Sequence, residues 1–129
     1  LSDAVGPVKA SLALAVLFML GHAQNPDASI FGILNIGLAA LVLSAAFFTR
    51  GGLVMAWGLH VGWNGGLALG VDAPVSGWHF NIPLVDFFAG RPAWMTGGNF
   101  GPEGGLVSTV AMFAILVWLI RIKKTSERT

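Results

Sequence analysis

Hydrophobic residues fall in four long runs along the chain, separated by short polar breaks and one long Gly- and Pro-rich stretch. The runs cover about residues 7–23, 28–48, 53–71 and 105–120. Each is close to the roughly 17–25 residues that an α-helix needs to cross a bilayer. Pro7 suits a first helical position, where its missing N–H costs little. Ser29 is placed to cap the second run. "QNPD" at 24–27 and "TRGG" at 49–52 break the pattern with turn-forming residues. The pattern predicts an all-α protein, a polytopic bundle of about four transmembrane helices. The stretch at 72–104 is too long for a plain connection. Its aromatics, Trp78, Phe80, Phe87, Phe88 and Trp94, predict an interfacial or re-entrant segment.

Composition agrees with this picture. Of 129 residues, 55% are hydrophobic and 10% charged, with a mean hydropathy of +0.76. A soluble domain carries about 25% charge. A net charge of +1 and the lack of a basic patch before the last ten residues argue against a nucleic-acid partner. With no cysteine, disulfides and thiolate metal sites are excluded. Charge also tests the topology. With four spans, Lys9, Arg50, Arg121, Lys123, Lys124 and Arg128 share one side, six of the seven basic residues. Arg91 is on the other side with Asp27, Asp72, Asp86 and Glu103. The positive-inside rule makes the first side cytoplasmic, so the expectation is a multi-pass cell-membrane protein with its C-terminus in the cytoplasm. The chain starts at Leu1 without the features of a signal peptide. The expectation is therefore a fragment of a longer polytopic protein.

Polar residues inside the apolar runs are the candidates for chemistry, because hydrocarbon cannot satisfy them. His60 and Asn64 are four apart and share a face of the third helix. Phe18 and His22 have the same spacing at the end of the first. Asn35 lies in the second, between Gly32 and Gly37, and reads chiefly as an interhelical hydrogen bond. His79 reads as an ordinary interfacial histidine. Glu103, in "FGPEGG", reads as a turn carboxylate near the start of the last helix. No GxSxG or HExxH motif is present, nor a phosphate-binding loop, and Ser44 and Ser108 read as serines bonded back to their own helix. No metal site is expected, since asparagine is a poor zinc ligand. A bis-histidine haem between His22 and His60 is disfavoured if, as their positions in the runs suggest, they sit at different depths.

"FMLGH" at 18–22 followed by "HVGWN" at 60–64 resembles the FxxxH and HxxxN motifs of the CAAX protease and bacteriocin-processing (CPBP, or Abi) family of intramembrane endopeptidases. The resemblance extends over about residues 6–120 and includes "VSGWHF" and "GGNFGPEGG". It implies a cofactor-free peptide hydrolase in which His22 helps to bind or activate water, and His60 and Asn64 stabilise the oxyanion. Phe18 and Asn35 would be supporting residues. The family's EExxxR motif, whose glutamate activates the water, is missing from this sequence and is expected upstream of Leu1. The chain would then be the C-terminal part of one transmembrane domain. The implied partners are the lipid bilayer and a membrane-associated peptide or protein substrate. The alternatives are a catalytically inert immunity or scaffold protein, a haem- or metal-binding membrane protein using His22 and His60, and a small transporter.

Overall fold

The computed structural model describes residues 2–82 and 86–126, apart from the side chains of 123–126. Arg128 of the expected cytoplasmic side therefore lies outside the described residues, as do the side chains of Lys123 and Lys124. The described residues form helices, with no strand among them beyond an isolated bridge between Val75 and Trp78. In chain order these are α1 (Ser2–Val5), α2 (Pro7–His22), α3 (Ile30–Phe47), α4 (Gly52–Gly65), α5 (Ala93–Thr96) and α6 (Leu106–Ser126). A π-helical turn, Gly66–Gly70, extends α4, and two 3-10 turns, Gly98–Phe100 and Pro102–Gly104, precede α6.

Local chemistry accounts for the helix ends. Pro7 occupies the first turn of α2. The Ser29 hydroxyl accepts from Gly32 N at 3.0 Å and caps α3. The Thr49 hydroxyl donates to Ala46 O at 2.6 Å as α3 ends. The four longest helices thus fall on the four apolar runs. They differ in reach. Among the described residues, α3 alone is long and apolar enough to cross a membrane by length and composition. α2 and the apolar part of α6, Leu106–Ile122, are shorter.

α3 is the hub, packing against α2, α4 and α6. Its buried positions include Gly32, Asn35, Ile36, Gly37, Ala40, Val42 and Ala46. Small residues let neighbouring helices approach closely. Met19 of α2 takes the space that a side chain at Gly37 would need. At the other end of α3, Val42 and Ala46 meet Leu119 of α6. Met55, Ala56 and Leu59 of α4 and Met112, Ile115 and Leu116 of α6 surround them. Away from these seams, Leu12, Val16 and Leu20 of α2 and Val54, Trp57 and Val61 of α4 point outward.

The stretch between α4 and α6 folds back onto the bundle. Residues 73–77 are buried, and Phe100, 2% exposed, packs over Gly32 at the start of α3. Gly77 N donates to Phe100 O at 2.8 Å, and Asn25 Nδ2 donates to Ser76 O at 2.8 Å. Gly77 and Gly101 hold this return with φ of 88° and 99°. A Cβ at either would strike a backbone carbonyl, that of Pro26 or of Pro74.

Candidate functional site

The end of α2 presents Phe18 and His22 on one face, with ring centroids 4.4 Å apart. His22 Nδ1 lies 2.8 Å from Phe18 O. A carbonyl oxygen only accepts, so the ring nitrogen is the donor. In the neutral imidazole this leaves Nε2 unprotonated, with a lone pair for a proton or for a water hydrogen.

His60 of α4 meets the same Phe18 ring edge-on, at 5.9 Å between centroids and 76° between planes. One turn further along α4 is Asn64. Its Oδ1 is buried and has no hydrogen-bond partner among the described residues. Leaving a buried acceptor unpaired costs about 1–3 kcal/mol. Such a group in a cavity wall is a natural partner for an N–H or a water brought by a ligand.

These side chains line one cavity of about 400 Å³, whose walls also include Asn35, Ser76 and Glu103. The volume falls in the range of small-ligand sites. Phe18, Trp63, Trp78 and Phe80 supply aromatic wall, and Ile36, Leu43, Met112 and Ile115 supply aliphatic wall. A separate groove of about 550 Å³ between α2 and α3 is lined by Leu14, Leu17, Leu43 and Phe47 and holds no ionisable group. Polar chemistry therefore concentrates in the first cavity.

The shared contact with Phe18 brings together two histidines that differ in their positions along their runs. His22 ends its helix and His60 is well inside its own, yet both rings reach one aromatic side chain. Among the described residues no three of His, Asp and Glu are grouped to hold a metal ion. His79 is exposed and does not line the cavity. Asn35 does line it, but its polar atoms are committed. Nδ2 donates to Glu103 O at 2.7 Å and to Gly105 O at 3.0 Å, and Oδ1 accepts from Thr109 Oγ1 at 2.8 Å. Ser108 is not bonded back to its own helix: its hydroxyl donates to Pro102 O at 2.6 Å.

Glu103 is the residue that sequence reasoning undervalued. It lies in a turn, as expected, but it is 8% exposed and its carboxylate is part of the cavity wall. Oε1 accepts from Trp63 Nε1 at 3.0 Å. Oε2 accepts from Ser76 N at 2.6 Å and from Ser76 Oγ at 2.7 Å. An ionised carboxylate offers about four lone-pair sites, and these bonds use three of them. The sequence signalled the turn through Gly101, Pro102, Gly104 and Gly105, but not what the turn folds against.

A family model described as Rce1-like, type II CAAX prenyl endopeptidase Rce1-like, matches residues 1–66. The matched region carries Phe18, His22, Asn35, His60 and Asn64, and Glu103 lies beyond it. No curated protein and no solved structure matches the chain.

Proposed function

The chain belongs to the Rce1-like family of type II CAAX prenyl endopeptidases, and we propose that its cavity is the histidine–asparagine half of an intramembrane peptide-hydrolase site. The observation that carries this is the convergence of His22, from α2, with His60 and Asn64, from α4, on one cavity. Their separation of about forty residues in sequence gives no such proximity by itself.

In this reading the substrate is the C-terminal peptide of a membrane-associated protein, prenylated on a cysteine. Water adds across the scissile amide: the C–N bond breaks, the carbonyl side leaves as a carboxylate and the other side as an amine. His22 holds the attacking water through Nε2, since its Nδ1 is committed to Phe18 O. His60 and the Asn64 amide face the developing oxyanion as hydrogen-bond donors on one rigid helix. Preorganised donors in a site shielded from bulk water cost little reorganisation during reaction. The base that takes the water's proton is the glutamate of an EExxxR motif upstream of Leu1. The chain then sits in the cell membrane as a multi-pass protein with a cytoplasmic C-terminus. The outward apolar residues of α2 and α4 support the embedding.

The test is cleavage of a farnesylated CAAX peptide by the full-length protein in lipid vesicles. His60→Ala is expected to lower kcat/KM by about 10²- to 10³-fold, the usual loss for one oxyanion donor. Cleavage that survives both His60→Ala and His22→Ala unchanged, or no cleavage by the unaltered protein, would overturn the reading in favour of an inert membrane partner. The 129-residue chain by itself is expected to be inactive. If it cleaves, and Glu103→Gln abolishes cleavage, Glu103 takes the role of the base.

A further inference from the structure

α4 carries two of the three cavity side chains, yet none of its residues is buried. On one face it carries no side chain at Gly58, Gly62, Gly65 and Gly66, and among the described residues nothing lies within 4 Å of where a Cβ would stand. Met55, Ala56 and Leu59 pack its first half against α3 and α6. Among the described residues none of α4 beyond Leu59 joins this cluster, and just past Asn64 the helix changes to the π-turn. That cluster therefore does little to fix the half that aims His60 and Asn64.

A polar connection reaches that half. Trp63 lies three residues after His60 and one before Asn64, and 39% of its surface is exposed. Its indole N–H donates to the buried carboxylate of Glu103 at 3.0 Å. Glu103 is itself held from two directions. The Asn35 amide of the hub helix donates to its backbone carbonyl at 2.7 Å. Ser76 donates to its Oε2 through both N and Oγ, at 2.6 and 2.7 Å. Ser76 has a φ of 49°, a left-handed conformation that a non-glycine residue seldom adopts without support. The double donation to one carboxylate oxygen supplies that support.

We propose that Glu103 and Trp63 are positioning residues: the carboxylate, anchored to α3 through Asn35, clamps the loose half of α4 through the Trp63 indole so that His60 and Asn64 face the cavity. This rests on the peptide-hydrolase reading for its consequence in rate, but not for the clamp itself. Hydrogen bonds to a carboxylate are stronger than neutral ones, and Trp63 makes its bond, at 3.0 Å, to a buried carboxyl group. A helix rotation that moves His60 and Asn64 by about 1 Å is enough to cost up to about 100-fold in rate.

Trp63→Phe keeps an aromatic ring and removes the N–H, and its partial exposure makes it a mild change to the fold. In the full-length protein it is expected to lower kcat about tenfold on a farnesylated peptide, with KM and the unfolding temperature little changed. In a background that lacks both donors, His60→Ala with Asn64→Ala, the same substitution is expected to add almost nothing, because its effect passes through the donors already removed. Losses that multiply fully in that background, or a change confined to KM, would overturn the clamp. A second measurement does not need activity. NMR signals of the His60 ring and the Asn64 side-chain amide, in detergent micelles, are expected to shift and broaden together in Trp63→Phe and in Glu103→Gln. Unmoved signals overturn the clamp. If the unaltered protein fails to cleave while these signals move, the hydrolase reading falls and the clamp stands.

Discussion

At His22 a single atom contact decides which ring nitrogen is left open. Its type and spacing from Phe18 were visible in sequence, but not which nitrogen would be free. The Nδ1 contact with Phe18 O makes Nε2 the acceptor in the neutral ring, as the proposed water-holding role requires. Asn35 is decided in the same way. Its amide serves two carbonyls and one hydroxyl, so its main role is to tie the return segment to α3. Asn35→Ala would orphan the buried carbonyl of Glu103, whereas Gly105 O keeps Thr109 N as a donor at 3.2 Å. It is expected to destabilise the protein by about 1–3 kcal/mol, the cost of one orphaned group. A denaturant titration in micelles, followed by helix content, checks this; a loss well below about 1 kcal/mol would mean that water reaches that carbonyl.

At the scale of elements, glycine divides the bundle into a tight seam and a loose one. Gly37 of α3 lies against Met19, whereas Gly58 of α4 has nothing within 4 Å of its missing Cβ among the described residues. The same substitution should therefore have opposite signs. Gly58→Ala is expected to stabilise by about 0.5–1 kcal/mol through helix propensity alone. Gly37→Ala is expected to destabilise by about 1–3 kcal/mol through overpacking. Paired thermal unfolding curves of the two variants decide it, and equal shifts would show that the α2–α3 seam relaxes freely. Sequence placed Gly37 on a close-packed surface, since small residues beside Asn35 suggest a helix crossing. It held no sign that the glycines of α4 face open space. That depends on which face of the helix the neighbouring helices cover.

For the whole molecule, the helical class and the division into four long helices were legible because apolar runs and turn residues punctuate the chain so regularly. The number of membrane crossings was less so. α3 meets the length and composition of a span, and α2 stops at 16 residues. The charge asymmetry supplies the orientation to be tested. Because the chain lacks cysteine, single cysteines can be introduced cleanly. A cysteine at Thr49 is expected to react with a membrane-impermeant maleimide from the cytoplasmic side, and one at Gln24 from the opposite side. Labelling of both from one side would remove α3 as a full span and would move His22 to the same face as the α3–α4 turn.

The FxxxH and HxxxN patterns were enough to point to a family, and the match over residues 1–66 bears that out. These are local spacings on helices, and helical periodicity preserves local spacing in any fold. Glu103 shows the opposite case. Its neighbours in sequence marked a turn correctly, but its place in the cavity wall depends on Trp63, forty residues earlier, and on Ser76, twenty-seven earlier. A carboxylate's surroundings are set by whatever the chain folds against it, and no local pattern encodes that. The helices and the family were therefore readable in one dimension. The meeting of His22 with His60 across Phe18, and the anchoring of Glu103, arose only when α3 gathered the other helices around it.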